Sequence, residues 1–154
     1  MKKNENIIVG ISIGDLNGIG SEVILKTFDD NRMLEMCTPV IFANVKIVSF
    51  IKRNLKLETN IHGIDNLNQL VIGKINVLNV WKEDVAINFG TSDDNAGLFA
   101  IKSFTTATAA LKELPTVAIM PAKSELEAIV ADPKFGQFIK QPAVDLLMRI
   151  EQAR

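Results

Sequence analysis

The sequence predicts an α/β fold with a mainly parallel sheet and flanking helices, on three observations. Short β-branched and apolar runs recur along the chain: IIVGISI (7–13), TPVIFAN (38–44), INVLNVW (75–81) and TVAIMP (116–121). Such short, largely apolar runs suit strands covered on both faces. Segments with helical spacing lie between most of them, and strands alternating with helices form a parallel sheet with crossover connections. A length of 154 residues, 47% hydrophobic and 23% charged, is ordinary for one packed α/β domain spanning 1–154.

The elements follow in order. The apolar run of residues 7–13 ends at Gly14, and SEVILKTF (21–28) then reads as a helix. Ser21 is its expected N-cap, and Glu22 lies in the first turn, where the helix dipole favours an acid. TPVIFAN is the second strand and VKIVSFIKRNL (45–55) the second helix. Residues 56–73 are polar and read as irregular, with glycines at 63 and 73. INVLNVW is a strand and VAINFG (85–90) a weaker one. In SDDNAGLFAIKSFTTATAALKEL (92–114), Ile101, Phe104, Leu111 and Leu114 fall at helical spacing behind capping residues.

Beyond Pro115, TVAIMP is a short buried strand. Ser124 and Glu127 form a capping box, Asp132-Pro133 breaks that helix, and Pro142 opens a last one. Its Ala143, Leu146, Leu147 and Ile150 line one face, so 114–154 reads as a strand with a helical tail. There is no internal repeat.

Composition excludes several classes. The formal net charge is −1 with acids and bases interspersed, so no nucleic-acid surface is expected. No apolar run is long enough for a bilayer, so no membrane partner is expected. The opening MKKNENIIVGISIG is basic then apolar, but Glu5 and Asn6 interrupt it and no small-residue cleavage site follows, so it reads as a first strand. Cys37 is the single cysteine, which points to a buried structural thiol in a reducing cytoplasm.

The chemistry-bearing stretch is GDLNGIGSE, residues 14–22. In sheets of this kind ligands sit beyond the carboxyl ends of strands. Gly14, Gly18 and Gly20 permit positive φ or close approach to a ligand, and the helix start offers N–H groups to an anion. The spacing G-x-x-x-G-x-G is neither the dinucleotide fingerprint nor a Walker loop. Asp15 and Glu22 would repel an anion unless a metal or donor intervened. Glycine spacing alone leaves a ligand loop and a tight strand–helix turn both open.

GISIGDLNGIGSEVILKT resembles the opening of the 4-hydroxythreonine-4-phosphate dehydrogenase family, whose first strand runs into G-D-P-x-G-I-G-P-E. The resemblance continues in LEMCTPVIFAN, GKINVLNVW and GTSDDNAGLFAIKSFTTATAALKE, covering about residues 6–113. Leu16 and Ser21 stand where the family has prolines, a change expected to cost rigidity more than activity. The resemblance implies half of an isopropylmalate-dehydrogenase-like fold and NAD-dependent oxidation and decarboxylation of 4-phosphooxy-threonine. It also implies a divalent metal, a phosphorylated small-molecule substrate and a homodimer. On that basis Gly14, Asp15, Asn17, Gly18, Gly20 and Glu22 are the candidate cofactor-binding residues.

The family's metal ligands are histidines in its later half. This chain has one histidine, His62, in a polar segment, so no metal ligand is assigned and no catalytic residue is named. MPAK (120–123) is only loosely similar to the family's Ala-Pro-Ile-Asn-Lys turn, and Lys123 reads as a surface lysine. Asp29-Asp30 and Asp93-Asp94 read as solvated caps. Trp81 reads as core or rim packing, and Phe99, Phe104, Phe135 and Phe138 as core. Two other functions stand beside the enzyme: a non-catalytic module binding a phosphorylated ligand or nucleotide at the glycine loop, and an assembly module using the last helix's apolar face.

Overall fold

Each strand of the sheet runs in the same direction, as the doubly apolar runs require. The computed structural model describes residues 7–110, 112–113 and the backbone of 117–120, with isolated positions 130, 131, 133, 144 and 148. The strands are β1 (Ile7–Ser12), β2 (Cys37–Ala43), β3 (Ile61–Ile64), β4 (Ile75–Asn79) and β5 (Val117–Met120), in the order β3-β4-β2-β1-β5. Every pairing is parallel, with Gly10 beside Val40, Val40 beside Asn76 and Val9 beside Ala118. Lys123, the Ser124–Glu127 capping box, Phe135, Phe138 and the final helix with Ala143, Leu146, Leu147 and Ile150 lie outside the described residues. So do residues 1–6, Leu111 and Leu114.

Alternate residues of each central strand feed two separate cores, which is what a two-sided sheet demands. Ile41, Ala43, Ile75 and Val77 pack with Leu25, Phe28, Ile47, Val48 and Ile51 from α1 (Gly20–Phe28) and α3 (Val45–Asn54). Val40, Phe42, Ile64 and Leu78 face the other way, onto Ala107 and Ala110 of α4 (Asp94–Ala110). Helices therefore cover both faces. Burying one such aliphatic side chain contributes about 1.5–3 kcal/mol, so these two clusters dominate the stability of the sheet.

Side-chain amides finish the strands where the ladder stops. Asn44 caps α3 by accepting the Lys46 N–H, and donates to the Trp81 carbonyl at 2.7 Å. Asn79 accepts the Val45 N–H at 2.9 Å. Asn76 is fully buried but satisfied, accepting from Val71 N–H and donating to the Val71 and Lys74 carbonyls. Each bond meets the rule that a buried polar group needs a partner.

Four expectations change. Ser21 is not the cap of α1: the helix starts one residue earlier, its N-cap position is Ile19, and no side chain caps it. Ser21 falls inside the first turn and is buried. Residues 56–73 are not wholly irregular, since they hold β3 and a short 3-10 turn at Leu67–Gln69. A further helix, α2 (Asn31–Met36), precedes β2, capped by Asp30. VAINFG is not a strand; its N–H groups at Asn88 and Gly90 bond to Asn17 instead of joining a ladder.

Candidate functional site

The chain leaves β1 through a turn whose geometry depends on one glycine. Gly14 has φ +73°, the left-handed region that an L side chain enters only with strain. On either side of the Gly14-Asp15 pair, Ile13 and Leu16 are buried and anchor the turn to the core. Asp15 then closes it twice: its carbonyl accepts the Gly18 N–H at 3.1 Å, and its Oδ1 accepts the Asn17 N–H at 2.9 Å. The carboxylate itself remains exposed.

Asn17 is the centre of the arrangement. It is 2% exposed. Its Oδ1 accepts the Asn88 N–H at 2.8 Å, its carbonyl accepts the Gly90 N–H at 2.8 Å, and its Nδ2 lies 3.5 Å from Thr91 Oγ1. The loop after β1 and the loop before α4 are therefore one unit at the carboxyl edge of the sheet. The Asn17 amide faces protein, so in this conformation it positions the site.

The other predicted residues lie around the start of α1. Gly18 and Gly20 lack positive φ. A Cβ on Gly20 would meet only the Ile13 carbonyl, at 3.4 Å, so the fold alone does not demand glycine there. That bare backbone opens beside the N–H groups of the first helical turn, which have no partners inside the helix. Ser21, in that turn, is 1% exposed and its hydroxyl has no partner among the described residues. Glu22 pairs with Lys26 at 2.5 Å along the helix, which offsets its charge near the turn. The structure thus brings Gly14, Asp15, Asn17, Gly18, Gly20 and Glu22 together in one strand–turn–helix segment.

Other candidates fall elsewhere. His62 lies on β3, paired with Asn76 of β4 across the sheet and away from the glycine turn. Cys37 is half-buried, and burial pushes its thiol pKa up, which disfavours the reactive thiolate. Asp93 caps α4 through Asn95 N–H, and Asp30 caps α2 through Arg32 N–H. Trp81 is core and its ring centroid lies 4.8 Å from that of Phe99. Among the described residues no three His, Cys, Asp or Glu side chains converge on a metal-sized site, and no helix is long and apolar enough to cross a membrane.

Two contributors were not anticipated in the sequence. Residues 88–91 form the far wall of the turn, and their signal was Gly90 followed by Thr91 ahead of the Asp93 cap. Ser103 on α4 is the other. Its Oγ accepts the Ile13 N–H at 2.9 Å and donates to the Phe42 carbonyl, fixing the end of β1 against β2. Nothing in the spacing of the α4 hydroxyls marks Ser103 out beforehand.

No protein-family model matches the chain. A 4-hydroxythreonine-4-phosphate dehydrogenase of Bacteroides thetaiotaomicron is 34% identical over 113 residues, 73% of this chain and 31% of that protein. A Clostridium botulinum protein named by inference as a D-threonate 4-phosphate dehydrogenase is 24% identical over 151 residues, 96% of this chain and 42% of its own length. That match runs past residue 113. Among solved structures, a 4-hydroxythreonine-4-phosphate dehydrogenase from Burkholderia phymatum superposes with TM-score 0.66 at 20% identity, covering 90% of this chain and 43% of that one. One from Klebsiella pneumoniae gives TM-score 0.61 at 23% identity over 83% of this chain and 42% of that one. The chain spans about a third of the first curated relative and under half of the others.

Proposed function

We propose, on the premise that this chain corresponds to an N-terminal segment of a 4-hydroxythreonine-4-phosphate dehydrogenase, that its glycine turn lines the cofactor and substrate cleft of such an enzyme. The observation that carries this reading is the joint at Asn17, which locks residues 88–91 against the bare turn beside the start of α1. The reaction is the NAD-dependent oxidation of 4-phosphooxy-threonine at its secondary alcohol, with loss of carbon dioxide.

The chemistry NAD would supply when bound is that of a hydride acceptor. The residues of this chain supply position and charge. N–H groups of the first turn of α1 suit an anionic group, since they carry the positive end of the helix dipole. The open side of Gly20 lets a ligand approach the backbone, and Glu22 is held off by Lys26. Asp15, exposed at the mouth of the turn, would accept a hydrogen bond from a ligand hydroxyl.

The divalent metal that the resemblance implies does not fit the described residues. No three ligating side chains converge there, and the whole chain holds one histidine. This chain by itself is therefore expected to bind without turning over.

The test is an amide NMR titration of the full chain with NAD, inorganic phosphate and 4-phosphooxy-threonine, alongside a turnover assay with divalent metal. Saturable shifts confined to residues 14–22 and 88–91 are expected. A dispersed spectrum that ignores all three compounds would remove the assignment.

A further inference from the structure

Phe89 is 52% exposed, although the backbone on both sides of it is fixed. Asn88 N–H donates to Asn17 Oδ1 and Gly90 N–H to the Asn17 carbonyl, so Phe89 is gripped between two bonds to one buried residue. Thr91 closes the turn, its N–H and hydroxyl both reaching the Asn88 carbonyl, at 3.2 and 2.7 Å. Gly90, at φ +78°, supplies the left-handed position such a turn requires. In the same segment Val85 and Ile87 pack against the core while Phe89 projects outward.

A single exposed apolar side chain is ordinary and needs no explanation. Phe89 differs because its place is specified. A buried asparagine holds it against the loop that leads into α1, three residues before that helix begins. Ile19, between Gly18 and Gly20 and immediately before α1, is also 75% exposed. Ser21, buried in the first helical turn, has a hydroxyl with no partner among the described residues, a second polar group at this end of the helix. An exposed aromatic on a loop tied by hydrogen bonds to the turn before a helix N-terminus matches a ligand with a planar ring joined to a phosphate.

We infer that Phe89 is the platform on which the heteroaromatic ring of a nucleotide lies, with the phosphate directed toward the first turn of α1. This rests on the reading of the glycine turn as part of the cofactor cleft, and it assigns the ring contact within that cleft to a residue no sequence motif marks. Stacking is indifferent to the identity of the base, so this contact adds affinity while the polar groups of the turn add orientation.

The experiment compares the full-length wild-type chain with Phe89→Ala, Phe89→Leu and Phe89→Trp, each titrated with NAD and separately with inorganic phosphate. Amide dispersion verifies folding, and sedimentation reports mass. Removal of the ring is expected to weaken NAD binding about tenfold, from the usual strength of base–aromatic stacking. Trp should restore affinity and Leu should not. Phosphate shifts at residues 18–22 should stay unchanged in all three variants. If Phe89→Ala binds NAD as the wild type does, the inference fails while the glycine-turn reading stands. A wild type that takes phosphate alone also defeats the nucleotide assignment. A wild type that ignores both ligands sinks the functional reading and this inference with it. Loss of a self-associated form in Phe89→Ala, with NAD affinity intact, would instead place the ring against a second copy of the chain.

Discussion

The side-chain carbonyl of Asn17 accepts the backbone N–H of Asn88 at 2.8 Å, joining the loop after β1 to a loop 71 residues away. Both partners sit in loops, yet the bond is shielded because Asn17 is buried. Asn17→Ala removes it and leaves the Asn88 N–H to find water, at a cost of about 1–3 kcal/mol. The second bond, from Gly90 to the Asn17 carbonyl, does not depend on the side chain and should survive. Denaturant unfolding should therefore show a moderate loss. Amide exchange should accelerate more at Asn88 than at Gly90; equal acceleration would mean that the side chain is not the clamp.

Gly14 calls for a different kind of substitution. Nothing lies within 4 Å of where its Cβ would be, so any cost of Gly14→Ala is conformational and not steric. At φ +73° that cost is about 1–2 kcal/mol. Gly14→Asn should lose less, because asparagine tolerates the left-handed region. Gly20→Ala should be nearly silent for stability, since φ is ordinary and a methyl contacts only one carbonyl at 3.4 Å. Its effect should appear in ligand binding alone. Chemical denaturation of the three variants ranks them, and Gly20→Ala falling lowest would contradict the geometry.

The pair Asp30–Arg32 gives a pH dependence of known sign. Hydrogen bonds from the Arg32 side chain and backbone pull the Asp30 carboxyl from 3.8 down to about 2. A carboxyl whose folded pKa is depressed contributes stability above its unfolded value and loses it as pH falls through the folded one. The window is thus pH 4 to 2. Both side chains are exposed, so solvent and salt screen the pair and the effect is small. Asp30→Asn keeps a good cap for α2 and removes only the titration. Its melting temperature should fall less than that of the wild type between pH 4 and 2, and the difference should shrink in molar salt.

How far the sequence could be read follows from where the physical signal is local. Residues 7–13, 38–44 and 75–81 are mostly apolar and carry no charge because both faces of those strands are covered, so they were legible without tertiary knowledge. The Ile61–Ile64 strand was not, because it is four residues long, contains His62 and Gly63, and lies in polar surroundings at the sheet edge. Val85, Ile87 and Phe89 alternate as a strand would. Only the tertiary bonds to Asn17 reveal that the alternation belongs to an extended loop, with two residues turned to the core and one turned out. The glycine turn was legible as a break between a strand and a helix, but the division of labour inside it was not. Sequence cannot distinguish Gly14, needed for φ, from Gly20, left bare. Nor can it show that Asn17 faces inward or that Ser21 sits two positions past the N-cap.

Ser103 offers the sharpest test of how the site is held in place. Its hydroxyl bridges the Ile13 N–H and the Phe42 carbonyl, so α4 takes over the ladder where β1 turns away from β2. Ser103 is fully buried, and no water reaches the two backbone groups if the hydroxyl is removed. Ser103→Ala thus strands one buried donor, and the Phe42 carbonyl loses the same contact, for a combined loss of about 2–4 kcal/mol. Ser103→Thr keeps the hydroxyl but adds a methyl in a packed interior, costing about 1–3 kcal/mol through crowding. The two can be told apart by amide exchange. In Ser103→Ala the Ile13 amide should exchange much faster, and that loosening should pass to Gly14 and the turn, weakening ligand binding with it. In Ser103→Thr the Ile13 amide should stay protected even though global stability falls. A Ser103→Ala variant with a protected Ile13 amide would show that β1 is held by its strand neighbours alone, and that α4 has no part in positioning the glycine turn.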